Sequence, residues 1–189
     1  MRLHRPNRVL WAMAAGLAVA FLISLLIGRY PQPGIAAPWQ MAGDDLAMRL
    51  IWNLRLPRLL TALLLGASLS AAGAAFQMLF TNPLVEPGFL GVSQGAAFGA
   101  ALAIIALGNA AWLVQGSAVL FAFLGLALSY FLARRVRFGG WVLRLVLAGI
   151  AVSAFFSSGV GILKFLADPL SQLPEITFWL LGGLWSIEW

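Results

Sequence analysis

Residues 59–80 read LLTALLLGASLSAAGAAFQMLF, with no charged side chain in the run. The run has about the 20 residues that a helix needs to cross a bilayer core. A helix also satisfies its own backbone N–H and C=O groups, which lipid cannot do. Four more apolar runs have similar lengths, at 9–28, 89–107, 112–133 and 145–166. The whole chain agrees with them. Of 189 residues, 62% are hydrophobic and 10% are charged, and the mean hydropathy is +0.94. An ordinary soluble domain carries about 25% charged residues, and one core of this size could not hide so much apolar surface. A soluble enzyme and a disordered chain are both excluded. The expected fold is all-α, a polytopic transmembrane helical bundle occupying 1–189 as part of a single domain.

Charge placement sets the expected topology. Arg2, Arg5 and Arg8 precede the first run, and Arg134, Arg135 and Arg137 sit in a short loop an even number of crossings later. The positive-inside rule puts both in the cytoplasm. At twenty residues the first run is too long for a signal peptide. The net charge of +6 therefore reads as topology-setting charge beside anionic lipid, not as a nucleic-acid stripe. Residues 29–58 become an external connection, with a short amphipathic helix around 44–53. That leaves Arg29, Arg49, Arg55 and Arg58 outside, against the rule. The segment 175–189 is too short to cross, is rich in Trp and is interrupted by Gly182-Gly183. It reads as an interfacial or re-entrant helix on the outer face. Five spans and then a stop where a sixth should begin read as the first part of a longer subunit.

Small residues recur at four-residue spacing in three spans: Ala62, Gly66, Ser70 and Ala74; Gly91, Gly95, Gly99 and Ala103; Gly149, Ser153, Ser157 and Gly161. Helices in lipid pack closely through such rows. The alternative is a wide substrate path that needs small side chains.

The chemistry is sparse. There is no cysteine, and the single histidine, His4, lies in the basic tail. All six acidic residues fall in connections or at helix ends. Proton-coupled transport usually needs intramembrane carboxylates or histidine. A phosphate-binding G-x-x-x-x-G-K-[ST] loop is missing, as is H-E-x-x-H. No catalytic residue, metal site or cofactor is expected, and energy for uphill transport would come from another subunit.

Two stretches carry more. Arg55 and Arg58 flank Pro57, which suits a first helical turn, and their spacing of three puts both on one side. They read as a socket for carboxylates or as headgroup contacts. The second stretch, QMLFTNPLVEPG at 77–88 followed by FLGVSQGA at 89–96, breaks the helix at two prolines and makes a tight turn.

Arg55-Leu56-Pro57-Arg58, the Gly66…Gly73…Gln77 pattern, Asn82-Pro83-Leu84-x-Glu86-Pro87 and Gly91-Val92-Ser93-x-Gly95-Ala96 occur here in one order and spacing. Leu147-Ala148-Gly149 and Phe178-Trp179-Leu180-x-Gly182-Gly183 continue the series. In these the chain resembles the FecCD/BtuC-like permeases of type II ABC importers for iron–siderophore, heme and cobalamin. The resemblance implies a homodimer of ten-span subunits in the bacterial inner membrane, of which this chain is the N-terminal half. A cytoplasmic ATPase dimer and a periplasmic binding protein would complete the importer. Arg55 and Arg58 match the arginines that receive the binding protein's acidic residues, which explains their side of the membrane. Asn82 and Leu84 match a turn of the cytoplasmic gate. The loop before Val142-Leu143 departs from the cobalamin relative, because it is longer and carries Gly139-Gly140-Trp141. The resemblance favours an iron–siderophore or related chelate as cargo, with cobalamin, heme and molybdate-type oxyanions as alternatives. A channel, a secondary transporter and a non-functional remnant are the rival readings of the chain.

Topology is directly testable because single cysteines can be placed in a cysteine-free chain. A membrane-impermeant thiol reagent added to spheroplasts should label a cysteine at position 44 and not one at position 137. The reverse pattern would overturn the orientation.

Overall fold

The computed structural model describes residues 6–30, 34–35, 43–83 and 85–189, with only the backbone given for Pro6, Asn7 and Ile35. Arg2, His4, Arg5 and Leu84 lie outside the described residues. The chain divides into two compact units, one comprising Met1–Ala67 with Leu184–Trp189 and the other Ser68–Gly183.

The first unit opens with α1 (Pro6–Leu26). Two short strands follow, β1 (Ile27–Gly28) and β2 (Gly34–Ile35), paired antiparallel with Ile27 opposite Ile35. Next comes α2 (Asp45–Leu50). Asp44 caps it in an extended conformation, and its Oδ1 accepts from the N–H groups of Leu46 at 2.9 Å and Ala47 at 3.3 Å. This satisfies two of the donors that a helix start leaves open. The helix around 44–53 expected from sequence is present, but it is not a separate element. A π-helical turn, Ile51–Arg55, joins it directly to α3 (Leu56–Phe80), so the helical stretch Asp45–Phe80 runs for 36 residues. Pro57 explains the π turn. It has no N–H to give Asn53, and the register shifts so that the Leu56 N–H bonds to the Ile51 carbonyl.

The second unit holds the end of α3, a 3₁₀ turn (Pro87–Leu90), α4 (Val92–Ala106), α5 (Ala111–Arg135), α6 (Trp141–Leu166) and α7 (Gln172–Leu181). The span expected at 89–107 opens on a 3₁₀ turn before its α-helix begins. Its α-helix has only 15 residues, because Pro87 forces a tighter turn and Gly91, at φ 79°, bends the chain before the helix starts. Among the described residues, four helical stretches are long and apolar enough to cross a membrane, and α4 is shorter. The outer helix also differs from expectation. It covers Gln172–Leu181 and ends at Gly182 in the left-handed region, and the rest of 175–189 is not helical.

Helix α4 is the most enclosed element. Gly95, Gly99, Ala100, Ala101 and Ala103 are all buried. A Cβ at Gly95 would lie 2.4 Å from the Phe121 carbonyl oxygen, and one at Gly99 would lie 2.5 Å from that of Ser117. The Ser117 hydroxyl donates to the Gly99 carbonyl at 2.7 Å across the same contact. A Cβ at Gly149 on α6 would lie 2.4 Å from the Phe89 carbonyl oxygen. A Cβ at Gly125 on α5, which the four-residue rows do not include, would likewise lie 2.4 Å from the Gly91 carbonyl oxygen. At Gly91 itself a Cβ would lie 2.8 Å from Val152 Cγ1. The rings of Phe98, Phe121 and Phe156 cluster beside these contacts, with centroids 5.3 to 6.4 Å apart.

Among the described residues, a Cβ at Gly66 or Gly161 would meet nothing within 4 Å. A four-residue repeat on a 3.6-residue helix drifts by about 40° per step. Three steps from Gly149 therefore carry the row about 120° around α6.

Replacing Gly95 with Leu forces a side chain against a main-chain carbonyl that cannot rotate away. Overpacking of this kind costs about 1–3 kcal/mol. Gly116, on exposed α5 surface with nothing near its Cβ position, is the matched comparison. In detergent, Gly95→Leu should lower the melting temperature clearly more than Gly116→Leu. Equal loss would remove the close-contact account.

Candidate functional site

The two sequence-predicted arginines sit where the π turn passes into α3, and both are partly exposed. Neither presents a fully free guanidinium. Arg55 Nη1 donates to the Leu25 carbonyl at 2.8 Å, and Nη2 donates to the Tyr30 carbonyl at 3.2 Å. Leu25 lies in the last turn of α1, where carbonyls lack helical donors and the helix dipole is negative. That turn has no basic residue of its own, so Arg55 supplies the cation. A Cβ at Gly28 would lie 1.9 Å from Arg55 Nη2, so the guanidinium rests against bare backbone there. Arg58 donates through Nη2 to the Trp185 carbonyl, while its Nε is buried with no partner among the described residues. Trp189 Nε1 also donates to the Trp52 carbonyl at 2.7 Å, which places residues 185–189 along the same stretch of helix.

Tyr30 and Asp44 complete this unit's polar set, and the sequence reading did not include them as a pair. The Tyr30 hydroxyl donates to Asp44 Oδ2 at 2.7 Å. That bond is the main cause holding the Asp44 carboxyl below its usual range, with the Ala47 and Leu46 N–H groups adding to it. The same bond pushes the Tyr30 phenol up. A lowered carboxyl contributes its stability above its ordinary pKa and loses it as pH falls through the folded value.

The predicted gate turn belongs to the second unit. Helix α3 ends in a Schellman-type arrangement, with the Thr81 N–H bonded to the Met78 carbonyl at 3.3 Å and the Asn82 N–H to that of Gln77 at 3.2 Å. Thr81 takes the left-handed position usually given to glycine, at φ 47°. A β-branched residue there carries strain of order 1–2 kcal/mol. Gln77 Nε2 closes the turn by donating to the Pro83 carbonyl at 3.2 Å. Asn82 is half-buried in it, and Val85 is buried with Phe80, Leu90, Ala133, Leu145 and Ala148. The fully buried Ser129 hydroxyl donates to the Leu90 carbonyl at 2.8 Å, tying the 3₁₀ turn to α5. A serine in an apolar run gives no sequence signal for that role. Among the described residues, no three His, Cys, Asp or Glu side chains are placed to hold a metal ion.

The sequence profile of the FecCD transport family matches residues 16–189. The chain belongs to that family. The molybdate import system permease protein MolB of Haemophilus influenzae is 37% identical over 96% of this chain and 56% of its own length. The vitamin B12 import permease BtuC of Serratia proteamaculans is 37% identical over 98% of this chain and 54% of its own. The hemin transport permease HmuU of Yersinia pestis is 35% identical over 97% and 57%. In three dimensions the chain resembles a metal-chelate type ABC transporter in an inward-facing conformation, with a TM-score of 0.83 and 36% identity. That match covers 97% of this chain and 56% of the other. This FecCD chain thus spans about half the length of the curated relatives it matches, and it has their all-α membrane fold.

Arg55 and Arg58 differ in how much the local fold depends on them. Arg55→Gln removes one charge-assisted bond at the end of α1 and one to Tyr30, an effect of about 1 kcal/mol once partial exposure is allowed for. Its melting temperature in detergent should fall below the parent's, and Arg58→Gln should fall less. Equal melting temperatures for the Arg55→Gln variant and the parent would show that the clasp adds nothing to the fold.

Proposed function

We propose that this chain is the N-terminal part of a permease subunit in a binding-protein-dependent ABC importer. The cargo we propose is an iron–siderophore or related metal chelate. Family membership over residues 16–189 carries this reading, and the likeness to a metal-chelate type transporter supports it. The subunit works as a homodimer in the bacterial inner membrane with its N-terminus cytoplasmic. It is not itself an enzyme: a separate cytoplasmic ATPase dimer supplies the energy, and a periplasmic protein delivers the cargo. Molybdate, vitamin B12 and hemin, named for relatives of near-equal identity, are the alternative cargoes.

Within this reading, Arg58 receives a carboxylate of the binding protein. Arg58 is partly exposed, and its bond through Nη2 to the Trp185 carbonyl leaves Nη1 to meet an incoming acid. Arg55 holds the end of α1 beside it and adds positive charge to the same surface. The turn holding Asn82 and Leu84 forms part of the cytoplasmic gate, and the strain at Thr81 next to Asn82 supports a turn that changes conformation.

Full-length permease reconstituted with its ATPase and binding protein should take up chelate only when ATP is supplied. Uptake without ATP would favour a facilitator. In the same system Arg58→Glu should weaken binding-protein association by about 2–5 kcal/mol, and reversing the acidic partner to Arg should restore part of it. Unchanged affinity at low salt would sink the docking assignment.

A further inference from the structure

A groove of about 860 Å³ opens between α5 and α6. Its α5 wall is a single helical face, since Phe131, Leu132 and Arg135 lie three, four and seven residues after Leu128. Ala151 and Phe155 on α6 form the other side. The apolar wall is open, with Phe131 61% and Phe155 70% exposed. Polarity is confined to one end, where Arg134 and Arg135 close the last turn of α5.

No carboxylate pairs with either arginine among the described residues. Arg134 lies over the Tyr130 ring, 5.8 Å from its centroid. Arg137 and Arg144 lie nearby in sequence, and no acidic residue occurs between Glu86 and Asp168. A groove that is apolar along its length and doubly cationic at its mouth matches one kind of molecule in both respects. That molecule has an anionic headgroup and an acyl chain. Guanidinium pairs bind phosphate oxygens through paired N–H donors, and basic pockets between spans take anionic headgroups.

We propose that the α5–α6 groove is a binding site for an anionic phospholipid. The phosphate sits at Arg134 and Arg135, and an acyl chain lies along Leu128, Phe131 and Phe155. The site is independent of the cargo and of the docking arginines.

The test uses full-length permease in detergent, with lipid retention read by native mass spectrometry. The probes are dioleoyl phosphatidylglycerol, dioleoyl phosphatidylcholine and inorganic phosphate. The unmodified protein should retain phosphatidylglycerol about tenfold or more over phosphatidylcholine, and millimolar phosphate should not displace it. Arg134→Gln with Arg135→Gln should abolish that preference. Ala151→Trp, which fills the groove and leaves both arginines in place, should abolish retention. Arg137→Gln, outside the groove lining, should leave retention unchanged.

Equal retention of the two lipids by the unmodified protein would overturn the proposal. So would displacement by phosphate, which would mark a simple anion site. A cysteine at position 151 that crosslinks to a second copy, or to another part of the same subunit, would show a protein occupant and would overturn it too. The lipid-preference and phosphate measurements need no variant, so poor folding of a mutant cannot shield the idea.

Discussion

The second unit is organised by main-chain atoms meeting main-chain atoms. At Gly95, Gly99, Gly125 and Gly149 a carbonyl of a neighbouring segment occupies the space that a Cβ would need. Lipid gives no hydrophobic reward for bringing helices together, so dispersion contact and short hydrogen bonds must do it. Removing four side chains lets α4 lie against α5, and lets the 3₁₀ turn lie against both α5 and α6. Those approaches also make Ser117 and Ser129 useful, because each hydroxyl then reaches a carbonyl across the contact. The aromatic cluster of Phe98, Phe121 and Phe156 fills the space beside the glycine ridge.

The same accounting of backbone groups explains the polar features of the first unit. Few polar side chains are present, and those described are mostly spent on the ends of helices. Asp44 satisfies the start of α2, Arg55 the end of α1, and the π turn compensates for the N–H that Pro57 lacks. A residue recruited for partner binding in such a chain therefore tends to have a structural duty as well. Arg55 illustrates this: its charge belongs to the docking surface proposed here, yet both of its described donors are engaged by its own chain. Arg58 is less committed, and that asymmetry between two arginines three residues apart follows from which carbonyls lie within reach.

In the proposed permease reading, function rests on shape and on partners. The described residues hold no metal cluster, and the proposed gate is a turn whose strain sits at Thr81. A permease of this kind needs surfaces that fit other proteins and segments that can change conformation.

Composition and periodicity in the sequence were enough for the membrane class, the all-α architecture and the position of each main helix to within a few residues. Charge loss over twenty-residue runs is a one-dimensional signal, and lipid permits few structures that satisfy it. The motifs around Arg55, Asn82 and Gly91 carried the family, because they depend on order and spacing alone. Tertiary structure decided the rest. Four-residue spacing marks a smooth face but not what lies opposite it. Gly95 and Gly149 therefore meet backbone, Gly66 and Gly161 meet nothing among the described residues, and Gly125 is a contact that no row reveals. Likewise the sequence shows two arginines on the wrong side of a charge rule, but not that one of them reaches back to Leu25 and Tyr30. Side-chain identity is local, whereas the partner of a guanidinium or of a missing Cβ is set by where a distant segment is packed.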